Sequence, residues 1–444
     1  MLNFPELAFR FMSGLQGRMR RSLKTALANL VVDDKKEDAI LAWQCQNRKV
    51  SLIEKGFKAL TQFLRDLQSY PGIAGRFSDT YLEERLRESI DREFVLASTS
   101  IGDAATVIMN EMLKLREAQL RRHFVNVPVF GLDIFPHEMT IQVGDVEFYT
   151  LANSDKRRWM AFADLQLLRR DDLKPPGGSD TWAKVDVEAE PTDRYRLQEE
   201  CEEKTKQAMS ALLLFLPAYH SGDIHERMYQ VLPPQLSIWR DFEPDEECYV
   251  YETGENQNYT ARSSSGIHSA PSSLFITQEV VNEYAKNGFD RVSNLLKSPT
   301  SELQKNIYHS LKLFWTAYTS PDLATRYLTY VAMLEMLVMT PRERSTSRDM
   351  PLRVSWILRE DAKAEERQDL ANSIKRLYSN RSMVAHGRAL ELEDVLGDLL
   401  LLRVLAFELV RKLAQCNTYT TQKELTSWVN AKIMGAPERF DTPL

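Results

Sequence analysis

Cysteine is scarce in this chain: 444 residues hold four, Cys45, Cys201, Cys248 and Cys416, far apart and with no CxxC pair. No disulfide framework or thiolate zinc site fits that spacing, and the expectation is a cytoplasmic protein with reduced thiols. Histidine is also rare, at seven. His220 and His225 stand five apart with no cysteine or carboxylate at ligand spacing, so no metal is expected there. No apolar run approaches the ~18 residues that span a bilayer, and the first residues, with Glu6 among short apolar pieces, hold no signal-peptide core. No membrane contact is expected. There is no GxxxxGK[ST], GxGxxG or GxSxG. The usual phosphate-cradling loops and the nucleophile elbow are therefore missing, and no cofactor is expected. The series Met333, Met336, Met339 is a core stripe rather than a cofactor box. No internal repeat is visible.

What is present is an ordinary globular composition, 43% hydrophobic and 27% charged, enough for two or three domains. The net charge of −6 is unevenly spread. Residues 126–299 hold 29 acidic against 17 basic side chains, while residues 300–444 hold 18 against 20. A chain that gripped nucleic acid along its whole length would not concentrate negative charge in its middle, so any such contact should be local.

Residues 1–125 read as a helical N-terminal region. Leu15, Met19, Leu23 and Leu27 recur at helical spacing beside Arg18, Arg20, Arg21 and Lys24. That basic face suits a nucleic acid or membrane surface, or is simply solvated. Helical periodicity runs through Val50–Leu67, breaks at Tyr70-Pro71-Gly72, and resumes over Tyr81–Phe94 and Ala104–Phe124. Residues 126–265 read as an acidic α+β domain with a sensor or regulatory role. Its signals are a hairpin at Met139–Tyr149 turning on Gly144-Asp145, a strand or short helix at Trp159–Leu168, and a loop at Lys174–Asp180. A strand follows at Trp182–Val187, a helix at Glu199–Leu216 stopped by Pro217, and strands at Leu236–Trp239 and Tyr249–Tyr251. Arg262–Ser273 reads as a linker. Residues 275–435 form a helical domain, with helices near Gln278–Ala285, Phe289–Leu296, Leu303–Tyr318, Leu323–Val338, Glu365–His386 and Glu393–Ala414. Asp322 is an N-cap candidate, and Thr340–Ser347 reads as a loop. The fold class is mainly α with an α+β middle.

One stretch carries chemistry: Leu377-Tyr378-Ser379-Asn380-Arg381-Ser382-Met383-Val384-Ala385-His386-Gly387. Arg381 is a fixed positive charge whose planar fork suits phosphate oxygens. His386 can give and take protons near neutrality. Five residues turn an ideal helix through about 500°, so the two point about 140° apart and do not make a site within one helix. Ser382, four residues before His386, shares its face. Gly387 is a C-cap candidate.

The stretch resembles the signature of HEPN ribonucleases, in the Apea-like form: Leu377-Tyr378, then Arg381-Ser382, then Val384, Ala385 and His386-Gly387. Tyr327-Leu328 through Ala332, Leu334 and Glu335 resembles the family helix that ends in a glutamate, and Arg353-Val354 before Trp356-Ile357-Leu358 also matches. The resemblance covers residues 300–432. It implies a C-terminal HEPN-type helical bundle, a homodimer with a composite cleft, and an RNA substrate. The implied reaction is attack of a ribose 2′-OH on its own 3′ phosphate without a metal, leaving a 2′,3′-cyclic phosphate and a 5′-OH. Arg381 and His386 would be the catalytic residues. Glu335 would orient one of them, unless it pairs with another arginine. Ser382 stands where many members have asparagine, aspartate or histidine. Tyr378 and Arg388 flank the motif, and Arg388 either binds phosphate or is a solvated charge near a helix end. The family serves as toxins or in anti-phage defence, which implies a phage or cellular trigger acting on residues 1–265. The alternatives are a catalytically silent HEPN module for dimerisation or ligand sensing, and an RNA-binding adaptor.

Overall fold

A computed structural model describes residues 4–33, 39–46, 48–97, 99–150, 181–190, 193–216, 237–238, 250–253, 274–320, 322–340, 346–386 and 392–435. The expected elements at Trp159–Leu168, Lys174–Asp180 and Arg262–Ser273, the pair His220 and His225, and Gly387 and Arg388 lie outside them. The chain divides into two compact units, residues 1–123 with 187–200, and residues 124–186 with 201–444.

The first unit contains helices α1 (Phe4–Ala28), α2 (Glu54–Gln68), α3 (Asp79–Ile90) and α4 (Ile101–Lys114). A π-helical turn, Asp91–Leu96, extends α3. The stripe expected on α1 is its core face: Leu15, Met19, Leu23 and Leu27 are each at most 1% exposed. They join Leu60, Phe63 and Leu67 of α2 and Ile108 and Met112 of α4 in one cluster. Two features differ from the helical expectation. Strands β1 (Leu30–Val32), β2 (Ala39–Cys45) and β3 (Arg48–Ile53) form an antiparallel sheet in the order β1-β3-β2. Along β2, exposure alternates at Ile40, Ala42 and Gln44, the period-two pattern of a strand with one covered face. The helix expected to reach Phe124 stops at Lys114, and β4 (Arg121–Phe130) follows. There Val125, Val127 and Val129 are buried at every second position, and β-branched side chains suit that pleated surface.

In the second unit the hairpin forms as expected. β6 (Ile141–Val143) and β7 (Val146–Thr150) pair antiparallel with Val143 opposite Val146. Gly144 takes φ +62 in the two-residue turn, where a Cβ would also lie 2.9 Å from that of Leu296. With β8 (Thr181–Ala189), β9 (Ser237–Ile238) and β10 (Val250–Thr253) these strands give the order β10-β4-β8-β7-β6, with β9 on β4. β5 (Leu132–Ile134) pairs parallel with β11 (Leu274–Ile276). Helix α5 is Arg194–Leu214.

From Gln278 onward the described residues are helical: α6 (Gln278–Lys286), α7 (Phe289–Lys297), α8 (Glu302–Thr319), α9 (Leu323–Val338), α10 (Thr346–Leu358), α11 (Ala364–Ala385), α12 (Leu392–Ala414) and α13 (Gln422–Ile433). Helix α9 is the central one and packs against α8, α10, α11, α12 and α13. Its ends are closed from outside. Asp322 caps the first turn by accepting from Ala324 and Thr325 N–H. At the other end Gln422 Nε2 donates to the Leu337 carbonyl at 2.8 Å and Arg353 Nη1 to the Val338 carbonyl at 3.1 Å, satisfying acceptors the helix itself cannot.

His123 is 3% exposed, and neither ring nitrogen has a hydrogen-bond partner among the described residues. Burial holds its pKa below 6.5; the Ala189 backbone acts in the opposite sense without meeting hydrogen-bond geometry to either nitrogen. With the folded pKa depressed, the unfolded chain binds more protons below pH 6.5. The stabilisation is complete above pH 6.5 and is lost as pH falls through the lower, folded value. Scanning calorimetry from pH 7.5 to 5 should show Tm falling more steeply for the native chain than for His123→Leu.

Candidate functional site

Helix α11 starts well for electrostatic reasons: Glu365 and Glu366 occupy the first turn, at the positive end of the helix dipole. Its inward stripe is Ala371, Ile374 and Leu377, all buried. His386 closes the helix, its N–H shared between the Ser382 carbonyl at 3.2 Å and the Met383 carbonyl at 3.1 Å.

Arg381 stands four residues beyond Leu377 and seven beyond Ile374, so it continues the buried stripe. A guanidinium is the least expected group at such a position. Arg381 is half-buried, its Nε is fully buried without a hydrogen-bond partner among the described residues, and its guanidinium lies 5.6 Å from the Tyr378 ring centroid. Among the described residues no carboxylate forms an ion pair with it. The cover over the stripe ends here, because Val384 is half-buried and Ala385 and His386 are exposed. The result is a partly desolvated cation at the margin of the bundle, with an imidazole one turn on and about 140° around the axis.

The other expected site residues are placed as follows. Ser382 is exposed on the His386 side of α11. Tyr378 is half-buried beneath the Arg381 guanidinium. Glu335 is half-buried on α9, and no hydrogen bond or ion pair joins it to Arg381 or His386. The geometry therefore brings Arg381 together with Tyr378.

A polar cluster that the motif does not announce lies one turn upstream. Asp398 of α12 is 3% exposed. It accepts from Tyr327 Oη at 2.9 Å, Asn380 Nδ2 at 2.8 Å and Arg376 Nη2 at 2.9 Å. Tyr327 Oη also lies 3.0 Å from the Leu377 carbonyl. Burial, followed by the Asp398 charge, pushes the Tyr327 phenol far above its usual pKa, so it remains a donor. Two sequence signals could have found the cluster: Asp398 interrupts an apolar run in α12, and Arg376 and Asn380 stand four apart on one face of α11.

An unpaired guanidinium on a core-facing stripe costs stability, and an apolar side chain of similar length should relieve that cost. Arg381→Met is expected to raise the urea midpoint, by about 0.5–2 kcal/mol in unfolding free energy. An unchanged or lower midpoint would mean that the guanidinium is satisfied within the fold.

Comparison of the chain with protein-family models, with curated proteins and with solved structures finds no match in any of the three.

Proposed function

We propose that the chain is a metal-independent endoribonuclease of the HEPN type, acting as a homodimer through residues 275–435. The observation that carries this reading is Arg381: a half-buried cation with no ion-pair partner among the described residues, held next to a helix end that presents an exposed histidine. It fits a phosphate that arrives from outside. His386 would take the proton from a ribose 2′-OH as that oxygen attacks the adjacent phosphorus. Arg381 would donate to a non-bridging oxygen of the pentavalent phosphate, where negative charge grows only in the transition state. The P–O5′ bond breaks, the departing 5′ oxygen takes a proton from water, and the products are a cyclic phosphate and a 5′-OH. The angle between the two side chains on one helix is the reason for a dimer, in which a histidine and an arginine from different copies share one phosphate.

The biological setting proposed is toxin or anti-phage defence in the cytoplasm, with residues 1–265 receiving a phage or cellular trigger. Among the described residues no helix is long and apolar enough to cross a membrane. A second reading, a silent HEPN module for dimerisation or ligand sensing, is favoured by one observation: Glu335, Arg381 and His386 are not hydrogen-bonded to one another.

Two outcomes test the reading. His386→Ala and Arg381→Ala should each lower the RNA cleavage rate by about 10²–10³ while the circular dichroism spectrum is retained. If purified His386→Ala protein cuts RNA as fast as the native chain, the assignment is wrong. Cleavage should also persist in excess EDTA and leave ends resistant to direct 5′-phosphate ligation, since His386 and Arg381 supply both proton transfer and charge neutralisation. Full loss on chelation would point to metal-activated water instead.

A further inference from the structure

We propose that Asp398 is the positioning residue of the α11 site: its carboxylate fixes the rotation of the helix end that presents Arg381 and His386. The kinetic part of this proposal rests on the ribonuclease reading; the geometric part does not.

Three helices meet at this carboxylate. Tyr327 comes from α9, Arg376 and Asn380 from α11, and Asp398 from α12. Asp398 is 3% exposed whereas the Arg376 side chain is 63% exposed, so the carboxylate is the buried, fixed end of the pair. Its donors on α11 lie within about a turn and a half of Arg381, and Asn380 is the sequence neighbour of Arg381. Tyr327 Oη also touches the Leu377 carbonyl, the group that pairs with the Arg381 N–H in an α-helical ladder.

Apolar packing alone does not hold this end of the helix. Leu377 is the last fully buried residue of the stripe, and the residues beyond it are half-buried or exposed. Leu or Val contacts tolerate small rotations; a carboxylate with three directed donors does not. Rotation of α11 by ~20° would move the tip of a long side chain by roughly 3 Å, on a radius of about 8 Å from the helix axis. Displacements of this size cost catalysis far more than stability. A buried carboxylate paired with an exposed guanidinium is in any case a weak source of net stability and is better suited to fixing one arrangement.

Asp398→Asn is the direct probe. The amide keeps the volume but replaces one acceptor with an NH2 group facing donors, so the three directed bonds cannot all persist. The expected result in the full chain is a fall in kcat of about 10²-fold, with KM for RNA held within about twofold. Arg381→Ala/Asp398→Asn should lose less than the product of the two single losses, because Asp398 acts in part through Arg381. The independent readout is the His386 Cε1–Hε1 correlation in [13C]His-labelled protein, assigned through His386→Ala. It should shift in Asp398→Asn and stay in place in Glu366→Gln, an exposed change at the far end of the same helix.

Unchanged kcat and an unmoved His386 signal in a folded Asp398→Asn protein would overturn the proposal. So would losses in the double variant that multiply. If the native chain cuts no RNA, the ribonuclease reading fails and the His386 signal alone decides the positioning role. Should Asp398→Asn not fold, Tyr327→Phe, which removes a single donor, decides by the same readouts with a smaller expected loss in kcat of about tenfold. Tyr327→Phe with native kcat and an unmoved signal would count against the proposal.

Discussion

The buried Asp398 carboxylate is the constraint on which the C-terminal helices depend. A charge at 3% exposure is tolerable only when its lone pairs are filled, and here a phenol, an amide and a guanidinium fill them. Because the donors come from two neighbouring helices, satisfying the charge also sets the mutual rotation of three helices. The central helix α9 is closed in the same manner, by Gln422 and Arg353 donating to its last carbonyls. Directed polar bonds at helix ends thus decide what apolar packing leaves free.

Arg381 is the complementary case, a charge on the core stripe whose Nε is left without a partner. Asp398 is fully matched inside the fold; Arg381 is not. Arg353 and Arg403 also leave Nε without a partner among the described residues, but each places another guanidinium nitrogen on a carbonyl, Arg353 on Val338 and Arg403 on Leu213 at 2.9 Å, and Arg381 makes no such bond among them. The exception lies next to an exposed histidine at a helix terminus, where an incoming anion can supply what is missing. The acidic excess across residues 126–299 is consistent with a contact confined to this place and not spread along the chain.

Much of the C-terminal fold was legible in the sequence because its helices are long and strongly periodic. The expected Leu323–Val338 has the bounds of α9, and Glu365–His386 differs from α11 by one residue at each end. The Gly144-Asp145 hairpin was legible because a two-residue turn with positive φ demands such residues. The strands at Ala39–Ile53 were missed: β2 and β3 are short, and their apolar positions also fit a helical pattern continuing into α2. The polar stretch Thr340–Ser347 concealed the start of α10 at Thr346, whose stability comes from packing on α11 and α12. In the site, Arg381 and His386 stood out by residue type and spacing. The position of Arg381 on the buried stripe was also readable, from Ile374 and Leu377. The role of Asp398 was not, since its partners lie 71, 22 and 18 residues away and only the folded bundle brings them together.

The central claim is that a ribose 2′-OH is the nucleophile and that Arg381 and His386 serve it. The most direct test is cleavage of one RNA by the purified native chain, first unmodified and then with 2′-O-methyl groups at the mapped cleavage positions. Every methylated position should resist while unmodified positions are cut as before. Cleavage at the methylated positions at the native rate would contradict it, because the attacking oxygen would then have to come from water.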